Sequence, residues 1–123
     1  METLGKVINI LFGDDNNRML HALIILVVLD YITGVCVAIL ERRLSSEIGA
    51  KGIAGKVMIF VLVALSNVAD TYFLLDGNAL ETVTVIFYCA NESISIVENA
   101  GKMGIPLPQK LLSVLEKLKD KNG

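Results

Sequence analysis

Three strongly apolar stretches, each holding one acidic residue, constrain this chain more than any other feature. Residues 21–40 carry Asp30 as their only formally charged group, residues 57–75 carry only Asp70, and residues 82–97 carry only Glu92. Each stretch can form a helix at, or slightly under, the length that crosses a bilayer. A carboxylate near the centre of such a helix costs about 2.5–3.5 kcal/mol on insertion scales. Three of them facing lipid would be prohibitive, so each asks for a protein partner or for water.

Composition agrees. Of 123 residues, 54% are hydrophobic, and the mean hydropathy of +0.63 places a membrane protein ahead of a small soluble bundle with unusually greasy helices. The first twelve residues hold Lys6 as their only basic side chain and no long apolar core, unlike a cleaved signal peptide. Cys36 and Cys89 fall inside expected spans and read as buried free thiols. No metal-ligand spacing is present, and no cofactor is expected.

The spacing predicts an all-α membrane protein with three transmembrane helices. Residues 1–18 form an amphipathic N-terminal segment on Leu4, Val7, Ile8 and Leu11, followed by an acidic, amide-rich turn at 13–17. Spans at 19–40, 57–75 and 82–98 are separated by a basic loop at 41–56 and a tight turn at 76–81. The run from Glu98 to Gly104 should break or fray the third helix. Pro106 and Pro108 then restart a terminal helix within 99–123, with Leu111, Leu112, Leu115 and Leu118 on one face and Lys110, Lys117 and Lys119 elsewhere.

Charge orients the set. The 41–56 loop holds Arg42, Arg43, Lys51 and Lys56, and five more basic residues lie from Lys102 onward, whereas the 76–81 turn has none. Three spans put both basic segments on one side, which the positive-inside rule makes cytoplasmic, with the N-terminus outside. Arg42, Arg43, Lys51 and Lys56 then anchor to lipid headgroups and fix topology.

Polar residues inside the spans fall on faces. Thr84, Tyr88, Asn91, Ser95 and Glu98 recur at 3–4 residue steps, with Glu92 beside them. Asn67 and Asp70 share a face of span two. Asp30, Thr33 and Gly34 lie together on span one, and Gly34 with Ala38 makes a small-xxx-small pair. Two readings stay open. These groups either bond across helices as polar glue or, in a homo-oligomer, seal subunits and line water. A pore of many copies, a small ion channel and an assembly or regulatory protein all fit. Catalysis fits poorly, because no nucleophile or metal set converges with the carboxylates and no extramembrane domain could form a substrate pocket. The few dispersed basic residues give no nucleic-acid footprint.

The segments Leu29-Asp30-Tyr31-Ile32-Thr33-Gly34, Leu44-Ser45-Ser46-Glu47-Ile48-Gly49-Ala50-Lys51-Gly52, Ala90-Asn91-Glu92-Ser93-Ile94-Ser95-Ile96-Val97-Glu98-Asn99-Ala100 and Gly104-Ile105-Pro106-Leu107-Pro108 resemble, in this order, the phage lysis and toxin-secretion holins of Gram-positive bacteria and their phages. The resemblance covers about residues 20–118 and implies a small protein that accumulates in the bacterial cytoplasmic membrane. It then opens large homo-oligomeric lesions at a programmed time, and an endolysin or a large toxin leaves the cell. Asp30, Asn91, Glu92 and Glu98 match motifs of that family, while Asn67 and Asp70 rest on the physical argument alone. Ser93 stands where relatives often have Gly.

Overall fold

A computed structural model describes residues 1–13, 17–75 and 77–122, with the side chains of all of these except 17 and 118–122. The expected turn at 13–17 therefore lies largely outside the described residues, as do Asp76 and the side chains of Leu118 and Lys119. The elements are helices α1 (Glu2–Phe12), α2 (Asn17–Leu40) and α3 (Ser46–Val68), a π-helical segment (Ala69–Leu74), then α4 (Ala79–Lys102) and α5 (Gln109–Asn122). No strand occurs among the described residues. Three helical stretches are long and apolar enough to cross a membrane: Arg18–Leu40, Ser46–Leu74 and Ala79–Lys102.

The helix ends show why the boundaries differ from the sequence expectation. The α2 helix closes on Arg42, which adopts a left-handed φ of 56°. Arg42 N–H donates to Ile39 O (3.1 Å) and Arg43 N–H to Ala38 O (3.0 Å), the paired bonds of a Schellman stop. Ser45 then caps α3, its Oγ accepting from Ile48 N–H at 3.1 Å, and Glu47 sits favourably in the first turn. Residues 46–56, expected as loop, are thus helical, and only residues 41–45 link α2 to α3.

A second Schellman stop ends α4. Gly104 has φ 78°, Gly104 N–H donates to Gly101 O and Ile105 N–H to Ala100 O, both at 3.1 Å. The Glu98–Gly104 run therefore does not break the helix early; α4 continues through Asn99 to Lys102. Intrinsic glycine weakness at Gly101 is overridden by the tertiary bonds of Asn99 described below.

The main pairing is α2 against α4, with α3 packed on α4 and α1 on α3. Leu20, Leu23, Val27, Val63 and Val85 form the apolar core, flanked by Phe12, Ile59, Phe60 and Tyr88. Outward faces stay apolar, with Ile25, Ile32, Val57, Leu65, Val83 and Ile86 among the exposed side chains. That pattern, a thin core inside a greasy surface, suits lipid as solvent. Tyr31 lies across α3 at Gly49 and Gly52, where a Cβ on either glycine would come within 3.3 Å of the phenol. The glycine run thus makes a seat for an aromatic ring.

One end of the bundle is basic. The short α2–α3 link carries Arg42 and Arg43, Lys51 follows in the early turns of α3, and the end of α4 joins them, since the charge of Lys102 reaches Glu41. The Arg43 guanidinium, 2.7 Å from Glu41, holds that carboxyl below its ordinary range chiefly through their hydrogen bond.

Candidate functional site

Asp30, Lys56 and Glu92 come from α2, α3 and α4 and meet between the three spans. The Lys56 ammonium bridges both oxygens of Glu92, each at 2.9 Å, and pairs with Asp30 Oδ2. Asp30 and Glu92 are buried, at 7% and 4% exposure. Two carboxylates share one ammonium, so with all three groups ionised the cluster has a formal charge of −1. Hydrogen bonds stabilise the remaining oxygens. Asn99 Nδ2 donates to Asp30 Oδ1 (3.2 Å) and to Thr33 Oγ1 (2.8 Å), while the Thr33 hydroxyl donates to the Asp30 carbonyl at 3.1 Å. A buried ion pair persists only with such supplementary bonds, because desolvation offsets much of its attraction. Gly34 faces Asn99, and a Cβ there would lie 3.9 Å from its amide nitrogen.

The second polar cluster sits at the end of the bundle away from Arg42 and Arg43. Asp70, 1% exposed, projects from the π-helical segment to the start of α4. Its Oδ1 accepts from Leu80 N–H (3.1 Å) and its Oδ2 from Glu81 N–H (2.8 Å). Asp70 thereby caps α4 from another element, since Asn78 at the N-cap position makes no side-chain cap bond. Helix N-termini leave amide donors unsatisfied and attract negative charge, so a carboxylate there is stabilised on both counts.

Asn67, one turn earlier on α3, donates through Nδ2 to Ile10 O and Leu11 O, each at 2.9 Å. These are last-turn carbonyls of α1, so one amide side chain ties the N-terminal helix to span two. Gly13 ends α1 at φ 72°, and a Cβ there would lie 3.5 Å from Asn67 Oδ1 and 3.7 Å from Glu81 Oε1. Asn67→Leu is expected to remove both bonds, weakening α1 docking by about 1–2 kcal/mol. Faster amide hydrogen exchange across residues 5–12, with exchange in α4 unchanged, is the check.

The sequence-derived site residues therefore divide. Asp30, Thr33, Gly34 and Glu92 gather at the ion cluster, and Ser95 lines the cavity beside it. Asn67 and Asp70 serve the far end. Thr84 turns its hydroxyl back to Leu80 O at 2.8 Å, and Tyr88 packs edge-on to Phe87 with ring centroids 5.1 Å apart. Asn91 is half-buried and Glu98 is exposed. Arg42, Arg43 and Lys51 are exposed at the basic end. Lys56, grouped with them from sequence as a headgroup anchor, instead places its ammonium on two buried carboxylates. Cys36 and Cys89 are free and half-buried.

Two contributors escaped the sequence reading: Lys56 as countercharge and Asn99 as its support. Both carried a signal. Asn99 follows Glu92 and Ser95 at helical spacing, and Lys56 follows Gly49 and Gly52 on one face once Ser45 is taken as the cap. Among the described residues, no group of three or more His, Cys, Asp or Glu side chains could hold a metal.

Three apolar spans closed on an internal ion cluster, with amphipathic helices before and after them, define a multi-pass membrane protein. The chain belongs to the bacteriophage holin family, whose model matches residues 6–120, and so to a non-catalytic class. It is 34% identical over 112 residues to a probable holin of Bacillus phage phi105, covering 91% of this chain and 81% of the phage protein. An uncharacterized protein of Halalkalibacterium halodurans is 40% identical over 120 residues, 94% of this chain and 88% of that one. A Clostridium perfringens 14.9 kDa protein from the nagH 3′ region is 35% identical over 121 residues, 97% of this chain and 89% of its own length. No solved structure matches the chain.

Proposed function

We propose that this holin accumulates in the cytoplasmic membrane with its N-terminus outside and its C-terminus cytoplasmic, then assembles with copies of itself into lesions that pass folded proteins. An endolysin or a large toxin is the cargo. Family membership across nearly the whole chain is the observation that carries this reading. The ion cluster supplies a physical rationale for delay. A monomer that satisfies its own charges inside the bundle presents lipid with an apolar exterior and encloses no channel. Self-association then follows mass action, so a threshold in membrane concentration can act as the trigger without any enzymatic step. The nine basic residues at 42–56 and from Lys102 onward support the orientation.

Release of a folded cytoplasmic enzyme, followed together with membrane potential after induced expression, tests the function. Enzyme release with depolarisation is expected. Depolarisation alone would indicate a narrow ion channel, and neither would indicate an assembly or regulatory protein. Within this reading Glu92→Gln is expected to shift the lysis time, because it removes one carboxylate yet leaves the Lys56–Asp30 pair neutral and bonded. Identical timing at matched membrane abundance would remove any specific role for that charge.

A further inference from the structure

A cavity of about 240 Å³ opens between α2, α3 and α4 at the basic end. Its lining includes the exposed Arg43, Leu44 and Ile48, which mark its mouth, and the buried Asp30 with the half-buried Lys56 and Ser95. Arg43 lies beyond the end of the first span at Leu40, so the mouth is at the headgroup level. Asp30 is about ten residues inside Leu40, or ~15 Å along a helix axis, roughly the middle of the hydrocarbon layer. The cavity therefore runs from the membrane surface to the ion cluster.

Its walls decide what fills it. Asp30 and Lys56 are charged, Asn99 adds an amide, and the Lys56 side chain keeps 24% of its surface exposed. An acyl chain against these groups would leave their remaining hydrogen-bonding capacity unmet, whereas water satisfies it. The groove between α1 and α3 is different, being lined by Leu11, Phe12, Val57, Phe60, Val61 and Ala64; that surface suits lipid. Beyond Lys56 the bundle closes on its apolar core. Leu23, Val63 and Val85 have no exposed surface, and Glu92 is not among the described residues lining the cavity.

We propose that this cavity is a one-sided aqueous vestibule, through which water and small hydrophilic solutes at the basic end reach Asp30 and Lys56 in mid-membrane. The apolar core closes it toward the other face. This assignment concerns the closed, unassembled chain and stands whether or not the assembled protein passes cargo.

Single cysteines placed in the full chain with Cys36→Ala and Cys89→Ala test it in sealed membrane vesicles. Lys117→Cys on α5 marks the basic side, and Leu75→Cys marks the opposite face and reports any leak. A charged, membrane-impermeant thiol reagent is expected to label Ser95→Cys from the side that labels Lys117→Cys and not from the Leu75→Cys side. The rate should exceed that of Val63→Cys in the dry core by about tenfold or more, since a thiol in apolar surroundings rarely ionises. Val35→Cys, higher in the same cavity, is expected to behave alike and carries the test if Ser95→Cys does not accumulate. Labelling at the rate of Val63→Cys, labelling from the opposite side, or labelling only by a lipid-soluble maleimide overturns the proposal.

Discussion

Lys56→Met is expected to deplete the folded protein from the membrane and lower its thermal midpoint sharply. The substitution keeps the aliphatic stem and removes the charge that Asp30 and Glu92 share. Two carboxylates, 7% and 4% exposed, would then face each other without a cation. Breaking a buried pair by deleting one partner costs about 3–5 kcal/mol, most of it from the charge left behind. A loss of that size is a large fraction of the whole stability of a small domain. The triple variant Asp30→Asn, Lys56→Met, Glu92→Gln is expected to recover most of the loss, because no unpaired charge remains and the amides can bond to Asn99 and to each other. Thermal midpoints in nanodiscs, measured for the single and triple variants, separate a charge clasp from simple loss of packing. Equal midpoints for the two would rule out the clasp.

How far the sequence alone reached follows from the same residues. Period and composition located all three spans, since a lone acidic residue in a long apolar run survives any reasonable choice of window. They also placed Asp30, Asp70 and Glu92 among groups needing shelter. What they did not yield was pairing. Lys56 lies at the edge of an apolar run, and treating residues 41–56 as a loop assigns its charge to lipid headgroups. The misplacement traces to one capping serine, Ser45, which starts α3 three turns before Lys56. Asn99 falls in the Glu98–Gly104 run expected to break or fray the helix, yet it makes two long-range bonds to α2 and α4 continues to Lys102. Local propensity is a weak prior, and a buried bond decides against it. Asp70 shows the converse. Its sequence context offered only an unfavourable location, and the partners that stabilise it are backbone amides, which no side-chain pattern reveals.

Those amides make Asp70→Ala the second substitution with a large effect. Leu80 N–H and Glu81 N–H lie in the first turn of α4, where no intrahelical acceptor exists. With Asp70 truncated, both donors lose a buried, charged acceptor and the positive end of the α4 dipole loses its counterion. Charge-assisted bonds of this kind contribute about 1.5–3 kcal/mol each, and the two share one carboxylate, so a loss of about 2–4 kcal/mol is expected. Asp70→Asn keeps one acceptor oxygen and no formal charge and should retain roughly half of that. The damage should be local. Amide exchange is expected to accelerate at residues 79–84 and in the π-helical segment, while the Lys56 cluster in mid-membrane stays protected. Uniform acceleration throughout α2 and α4 would instead mean that Asp70 supports the whole bundle, and that the α3–α4 hairpin and the ion cluster form a single cooperative unit.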